Sequence, residues 1–191
     1  AANNGSLVLP YGLEGWLPET KPTSGDSFYN VDRSENPTKL AGIRTTGLLS
    51  DIYASINDAA ALAKSYGRRV GKMKALTSHV NVGRLSKQAN IQVQQAPGGR
   101  GKMGFNAVTI YTTAGEVEVH GSPWVKSDRL YLLDIAVCQL IYLGKSLVYV
   151  WDLDGNMLQR LPSNSGVEIR VESRPAMKIL KPGHCVRIAR S

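Results

Sequence analysis

The stretch with the most obvious chemical promise is glycine-rich: Gln94 to Gly104 reads QQAPGGRGKMG. A phosphate-binding loop needs a glycine, four residues, then Gly-Lys and a hydroxyl residue. Backbone amides cradle the phosphates, the lysine reaches their outer oxygens and the hydroxyl holds magnesium. Counting back from Gly101 and Lys102 puts Ala96 where the first glycine belongs, and Met103 stands in the hydroxyl's place. No apolar strand leads in, and a strand pattern follows instead of a helical one. The spacing predicts a loop, with Gly98, Gly99 and Gly101 giving it conformational freedom.

The other candidates fail in similar ways. Asp152-Leu-Asp154-Gly-Asn156 opens like a calcium loop, but Met157 and Ser163 occupy the positions that require glycine and glutamate. Those five residues read better as a hairpin turn. Cys185 follows His184, yet His79 and His120 have no ligand spacing to that pair, so no zinc site is expected. Cys138 lies in the apolar run IAVCQLIYL and reads most simply as a buried small hydrophobe. A disulfide to Cys185 is possible but has no support in the spacing, and a reducing cytoplasm fits the cysteine usage best. Glu116 and Glu118 fall on one face of a strand, where alternating charges are ordinary. Trp124 and Trp151 read as core or interface anchors. No nucleophile elbow and no His-Glu-x-x-His helix appears. The expectation is no catalytic residue, no cofactor, no metal and no enzyme, with a small hydrolase of unrecognised site as the weakest alternative.

Charge placement is more informative. The net charge is +8, and no acidic residue lies between Asp58 and Glu116. That belt holds Lys64, Arg68, Arg69, Lys72, Lys74, Arg84, Lys87, Arg100 and Lys102. Such a field attracts phosphate polymers or an acidic neighbour, and it reads equally as a solvated basic face. Tyr66 is the one aromatic in the belt before Phe105, so stacking on bases is not expected. Contact with nucleic acid would go to the backbone, indifferent to sequence.

These residues need elements to place them. From Ser50 to Tyr66, Ile52, Ile56, Ala59, Ala60 and Ala63 recur at helical spacing and form one stripe. Ser50 is suited to cap it, Asp51 to complement the helix dipole, and Gly67 to stop it. Ser78 is expected to cap a shorter helix over His79 to Gln88, with Val82 and Leu85 inward. Between the two helices, Arg69 to Ser78 is compatible with one short strand. From Phe105 the period becomes two: Val108 and Ile110 answer Val117 and Val119 across a turn at Ala114–Gly115. Strands are expected at Arg129–Ile135, after a bend at Ala136–Gly144, around a hairpin turn at Asp154–Gly155, at Val167–Arg174 and at Cys185–Ile188. Residues Ala1 to Thr46 are rich in Gly, Pro, Asn, Ser and Thr and read as an irregular lead-in that needs a surface to lie on. Phe28 to Gly42 reads as a loop with a turn at Glu35–Pro37.

The 191 residues, 42% of them apolar, are enough for one core or for one domain and an extra layer. No run approaches the ~20 apolar residues of a membrane span, and no signal peptide is visible. The order irregular, helical, then β-rich is an α+β pattern.

Several phrases together resemble the major capsid proteins of tailed bacteriophages, the Hong Kong phage coat fold. They are GLEGWLP (Gly12 to Pro18), FYNVDRSENPTKLAG (Phe28 to Gly42), and the helix at Ser50–Gly67. Within the second, Asn30-Val31-Asp32-Arg33-Ser34 is similar to the family's G-[IV]-D-R-S/T element, with Asn30 in place of glycine. GEVEVHGSPWVKSDRLYLLDI (Gly115 to Ile135) and VEIRVESRPAMKILKPGHCVRI (Val167 to Ile188) resemble its later strands and tail.

The resemblance implies a structural subunit: an axial-domain helix and β-hairpins over residues 40–161, with the lead-in 1–39 and the C-terminal strands 162–191 in part of a peripheral β-domain. It implies hexamers and pentamers of this chain in an icosahedral shell around double-stranded DNA, and scaffold, portal or decoration proteins as further partners. It also implies assembly in the host cytoplasm, location in the virion and no membrane. The family's N-terminal arm, extended loop and spine helix have no counterpart in these residues, which suggests a C-terminal portion of a longer coat protein or a compact relative. No lysine–asparagine–glutamate set matches for cross-linking. On this reading Gly98, Gly99 and Gly101 belong to a subunit-contact loop at the local symmetry axis. Arg68, Arg69, Lys72, Lys74, Arg84, Lys87, Arg100 and Lys102 face DNA or a neighbour. The alternative is a basic module that binds the phosphate backbone.

Overall fold

Alternating apolar residues on five of six strands build the mixed sheet on which the core rests. The computed structural model describes residues 12–47, 51–68, 71–88, 107–142 and 175–190, with the strand segments 149–150, 159–160, 167–168 and 171–172. In chain order the elements begin with α1 (Leu13–Trp16), the strands β1 (Ser27–Phe28) and β2 (Val31–Asp32), α2 (Pro37–Ala41) and β3 (Ile43–Gly47). Next come α3 (Ile52–Ser65), β4 (Met73–Thr77), α4 (His79–Ser86), β5 (Ala107–Thr112), β6 (Gly115–Gly121) and β7 (Arg129–Leu133). After a 3₁₀ turn (Ile135–Val137) follow β8 (Cys138–Tyr142), β9 (Tyr149–Val150), β10 (Gln159–Arg160), β11 (Val167–Glu168), β12 (Val171–Glu172) and β13 (Pro175–Ile179). A second 3₁₀ turn (Pro182–His184) leads into β14 (Val186–Arg190). The protein is α+β.

The main sheet runs β3-β14-β7-β4-β6-β5, with β14 parallel to β3, β4 parallel to β6, and the other neighbours antiparallel. Met73 and Ala75, Val108 and Ile110, Val117 and Val119, Leu130 and Leu132, and Val186 and Ile188 join α3 and α4 in one core cluster. The α3 stripe is buried as its spacing predicts: Ile52, Ile56, Ala59, Ala60 and Ala63. Each buried isoleucine contributes roughly 1.5–3 kcal/mol, and the alanines let the helix come close to the strands. The same closeness is visible at Gly47, where an added Cβ would lie 2.7 Å from both Ile188 Cγ2 and Ser55 Oγ.

Local chemistry sets the ends of these elements. Asp51, not Ser50, caps α3, its carboxylate accepting from the Ala54 amide at 3.0 Å; Ser50 lies outside the described residues. Gly67 follows α3 at φ +88. Ser78 caps α4 by accepting from the Asn81 amide, and Asn81, Val82 and Leu85 are buried. The β5–β6 hairpin has the predicted register, Val108 opposite Val119 and Ile110 opposite Val117. Gly115 at its turn has φ +118, and a Cβ there would meet Gly71 O at 2.5 Å, so both the dihedral and the space demand glycine.

The lead-in differs from its expectation. From Leu13 onward it carries two short helices, a two-residue hairpin and β3, an edge strand of the main sheet. Tyr29 and Asn30, at φ 51 and 63, make the hairpin turn between β1 and β2, the geometry that matches strand twist. The turn expected at Glu35–Pro37 is a helix start: Asn36 accepts from the Lys39 amide, and Pro37 takes the first turn, where its missing N–H costs nothing.

The chain divides into two compact units, a larger one of Leu13–Cys138 with Ile179–Ser191 and a smaller one containing Gln139–Lys178. This differs from the three segments 1–39, 40–161 and 162–191. The reason is β14, whose buried Val186 and Ile188 complete the main sheet between β3 and β7. In the smaller unit β9 pairs with β12 and β10 with β11, both antiparallel, so the described parts of the predicted strand Val167–Arg174, 167–168 and 171–172, pair with 159–160 and 149–150. β8 and β13 form a further two-stranded sheet. The Asp154–Gly155 turn lies outside the described residues.

Candidate interaction surface

The basic belt is not one surface. Arg68 follows α3 directly and turns inward to 4% exposure. Its guanidinium donates to Ala114 O at 3.1 Å, Gly71 O at 3.3 Å and Lys72 O at 3.0 Å, and its Nε lies 3.4 Å from Asp134 Oδ2. Burial pushes its pKa down, and the Asp134 charge opposes that shift. Its role is to hold the β5–β6 turn against the chain leading into β4, so it is withdrawn from any outer basic face. Lys72 and Lys74 sit opposite acids on β6, 3.4 Å from Glu116 and 3.7 Å from Glu118. These are cross-strand pairs at the surface, where such contacts contribute about 0–1 kcal/mol. Glu118 is held below the ordinary glutamate range, first by its hydrogen bond with His120 and then, against desolvation, by the charges of His120 and Lys74.

Among the described residues of the belt, the cations without an acidic partner or a buried role lie on or just after the helices. Lys64 is exposed at the end of α3 and donates to Thr113 O at 3.0 Å. Arg84 and Lys87 are exposed on and just after α4, with no acidic partner among the described residues. Arg69, Arg100, Lys102, Gly98, Gly99 and Gly101 lie outside the described residues.

Three further arginines act where sequence spacing gave no signal. Arg187 on β14, 3% exposed, donates to Leu17 O at 3.1 Å and to Glu19 Oε2 at 2.7 Å. Arg33 donates to Gly15 O at 2.7 Å, pairs with Asp26 at 3.1 Å and lies 4.3 Å over the Phe28 ring. Arg129 pairs with Glu14 and with Asp128, and the Asp128 hydrogen bond raises its pKa above the usual range. Together they fasten α1 and the residues after it to β14, to β7 and to the chain just after β2. The surface that the lead-in needs is therefore in its own chain from Leu13 onward.

Apolar side chains are left in solvent at several places. Trp124, in the loop between β6 and β7, is 92% exposed; it is not a core residue, which removes one of its two predicted roles. That loop is firmly placed: Ser122 N donates to Thr77 O at 2.7 Å, and buried Asn81 donates from Nδ2 to Ser127 O at 3.0 Å. Leu140, Ile141 and Tyr142 on β8 are 58%, 45% and 46% exposed, a consecutive run with both strand faces open. Trp151 lies outside the described residues. Among the described residues no group of His, Cys, Asp and Glu could hold a metal, and no helix is long and apolar enough to cross a membrane.

With this geometry in hand, one similar solved structure is a virus-like particle from Pyrococcus furiosus, at a TM-score of 0.43 and 15% identity. The likeness is distant. It covers 76% of this chain, which spans 55% of the length of that one. No protein-family model and no curated protein matches the chain.

Proposed function

We propose that this chain is a structural subunit that assembles with copies of itself into a closed shell. Its finer identity is a tailed-phage major capsid protein, in hexamers and pentamers around double-stranded DNA. The observation that carries the reading is Trp124, a large apolar side chain at 92% exposure on a loop that Thr77 and Asn81 hold in place. A rigid loop that offers tryptophan to solvent gains nothing in the isolated subunit, whereas tryptophan is a favoured anchor at interfaces. The exposed run Leu140–Tyr142 is a second surface of the same kind. The capsid-like phrases along the chain agree with it.

Arg84 and Lys87, with Arg69, Arg100 and Lys102 and with Lys64 of the same belt, serve as contacts to DNA backbone or to an acidic neighbour, and the glycines Gly98, Gly99 and Gly101 as a contact loop near the symmetry axis. Scaffold, portal and decoration proteins would be its partners, the host cytoplasm its place of assembly and the virion its destination.

Negative-stain electron microscopy of the purified protein tests the reading. Closed particles tens of nanometres across are the expected result, and a monomer that stays monodisperse at high concentration would overturn it. The exposed cations of α3 and α4 keep a second reading in play, a module that grips phosphate backbone. Binding of DNA by a soluble monomer, falling steeply with salt, would favour it.

A further inference from the structure

Cys138 and Cys185 are remote in the chain but occupy equivalent places in two adjoining 3₁₀ turns. Each is the residue that ends its turn, Cys138 after Ile135–Val137 and Cys185 after Pro182–His184, and both have extended backbone. The two turns are tied together at both ends of the first. His184 Nδ1 lies 3.4 Å from Asp134 Oδ2, and Leu180 N donates to Val137 O at 2.9 Å. Asp134 in turn caps the first turn by accepting from the Ala136 amide at 3.2 Å, and Cys185 O accepts from Ile43 N at 3.0 Å. Backbone on both sides of the pair is therefore fixed. Cys185 is fully buried and Cys138 partly exposed, and no bond joins them. The thiols act on one another: a hydrogen bond from Cys185 holds Cys138 below the usual thiol range, and the same contact together with burial pushes Cys185 far above it.

We propose that Cys138 and Cys185 form a dithiol–disulfide pair, a modification site where a small-molecule disulfide such as oxidised glutathione closes a covalent loop containing Gln139–Lys178. The partly exposed thiol reacts first. Cys138 gives up its proton and attacks one sulfur of the small disulfide; a mixed disulfide forms, and one glutathione leaves as thiolate and takes up a proton. Cys185 then loses its proton and attacks Cys138 Sγ, displacing the second glutathione, which is protonated in turn. Two electrons pass from the protein to the reagent, whose disulfide becomes two thiols. The order follows from access and acidity: the accessible, more acidic thiol is the one attacking from solution, and the buried one is the resolving partner. The bond would staple the larger unit at the two points beside which the chain leaves for the smaller unit and returns from it. A reducing compartment keeps the dithiol, and an oxidising one makes the bond.

The test uses the full chain incubated with oxidised glutathione, then unfolded, alkylated and weighed. The expected wild-type product has lost two hydrogens, has no titratable thiol in place of two, and yields one linked peptide pair. Its thermal midpoint is expected above that of the same protein kept in dithiothreitol, because the closed loop restricts the unfolded chain. Cys185→Ala is expected to stop at one glutathione adduct on Cys138, and Cys138→Ala to remain unmodified while folded. A lasting glutathione adduct on the wild type, disulfide-linked dimers, or two unreacted thiols would each overturn the proposal. None of these readings depends on whether the chain forms a shell, so this test and the microscopy fail separately.

Discussion

Arg33, Arg68 and Arg187 sit at 6%, 4% and 3% exposure, and a guanidinium taken that far from water must find oxygen atoms to replace its hydration. Arg68 has three carbonyls and Asp134. Truncating it leaves those carbonyls short of a donor and Asp134 without its counter-charge. Arg68→Ala is expected to cost about 3–5 kcal/mol, whereas exposed Arg84→Ala should stay within ~0.5 kcal/mol. Urea unfolding of both variants checks the contrast, and equal costs would remove Arg68 from its structural role. Glu118 shows the opposite, surface regime. Its folded pKa lies below the unfolded value of 4.5, so its stabilising contribution is present above that value and is lost as pH falls through the folded one. The carboxylate is 43% exposed, so solvent screens the effect and it stays small. Glu118→Gln is expected to flatten the wild-type fall in urea midpoint below about pH 5. A variant curve parallel to wild type would show that the pair with His120 and Lys74 contributes nothing.

At the scale of elements, α3 is fitted to the sheet by what its side chains lack. Ala59, Ala60 and Ala63 are fully buried, and Gly47 on β3 has no room for a Cβ beside Ser55 and Ile188. Ala60→Leu adds three heavy atoms where there is no gap and should destabilise by about 1–3 kcal/mol, from overpacking. Ile56→Ala, which empties a site of the same stripe, should cost about 2–5 kcal/mol. Chemical denaturation of the pair measures both; a stable Ala60→Leu would mean the helix rides higher on the strands than the packing indicates. The strap over Leu13–Glu19 is another matter. Its ties are charged and several lie at the rim, the Glu14 and Glu19 side chains being 66% and 63% exposed. It is anchored by the buried guanidinium ends more than by the carboxylates.

For the whole molecule, the question is whether exposed apolar surface is matched by a neighbour. Trp124→Asp should leave the subunit folded, with an unchanged unfolding midpoint, because a side chain 92% exposed has little native packing to lose. The same change is expected to abolish particles in negative stain and shift the protein to small species by light scattering. Intact shells from the variant would free Trp124 from the interface and leave Leu140–Tyr142 as the remaining candidate.

The amino-acid sequence by itself determined much of what short-range periodicity and capping carry, although the α3 cap fell to Asp51 beside the expected Ser50 and the Asn36 cap of α2 read as a turn. The α3 stripe, Ser78 at the start of α4 and the β5–β6 register each depend on residues a few positions apart, where backbone geometry alone decides which side chains share a face. The lead-in hid β3 because a strand of Ile43–Gly47 carries little alternation and is ordered by its parallel partner β14. Only the tertiary structure decided that Arg68 is internal, that Arg187 reaches Leu17 and Glu19 across the chain, and that Cys138 lies beside Cys185. These juxtapositions arise when segments remote in the chain pack together. A charge count cannot distinguish an arginine in water from one enclosed by carbonyl oxygens, because what differs is the surroundings, and those are set by how the chain folds around it.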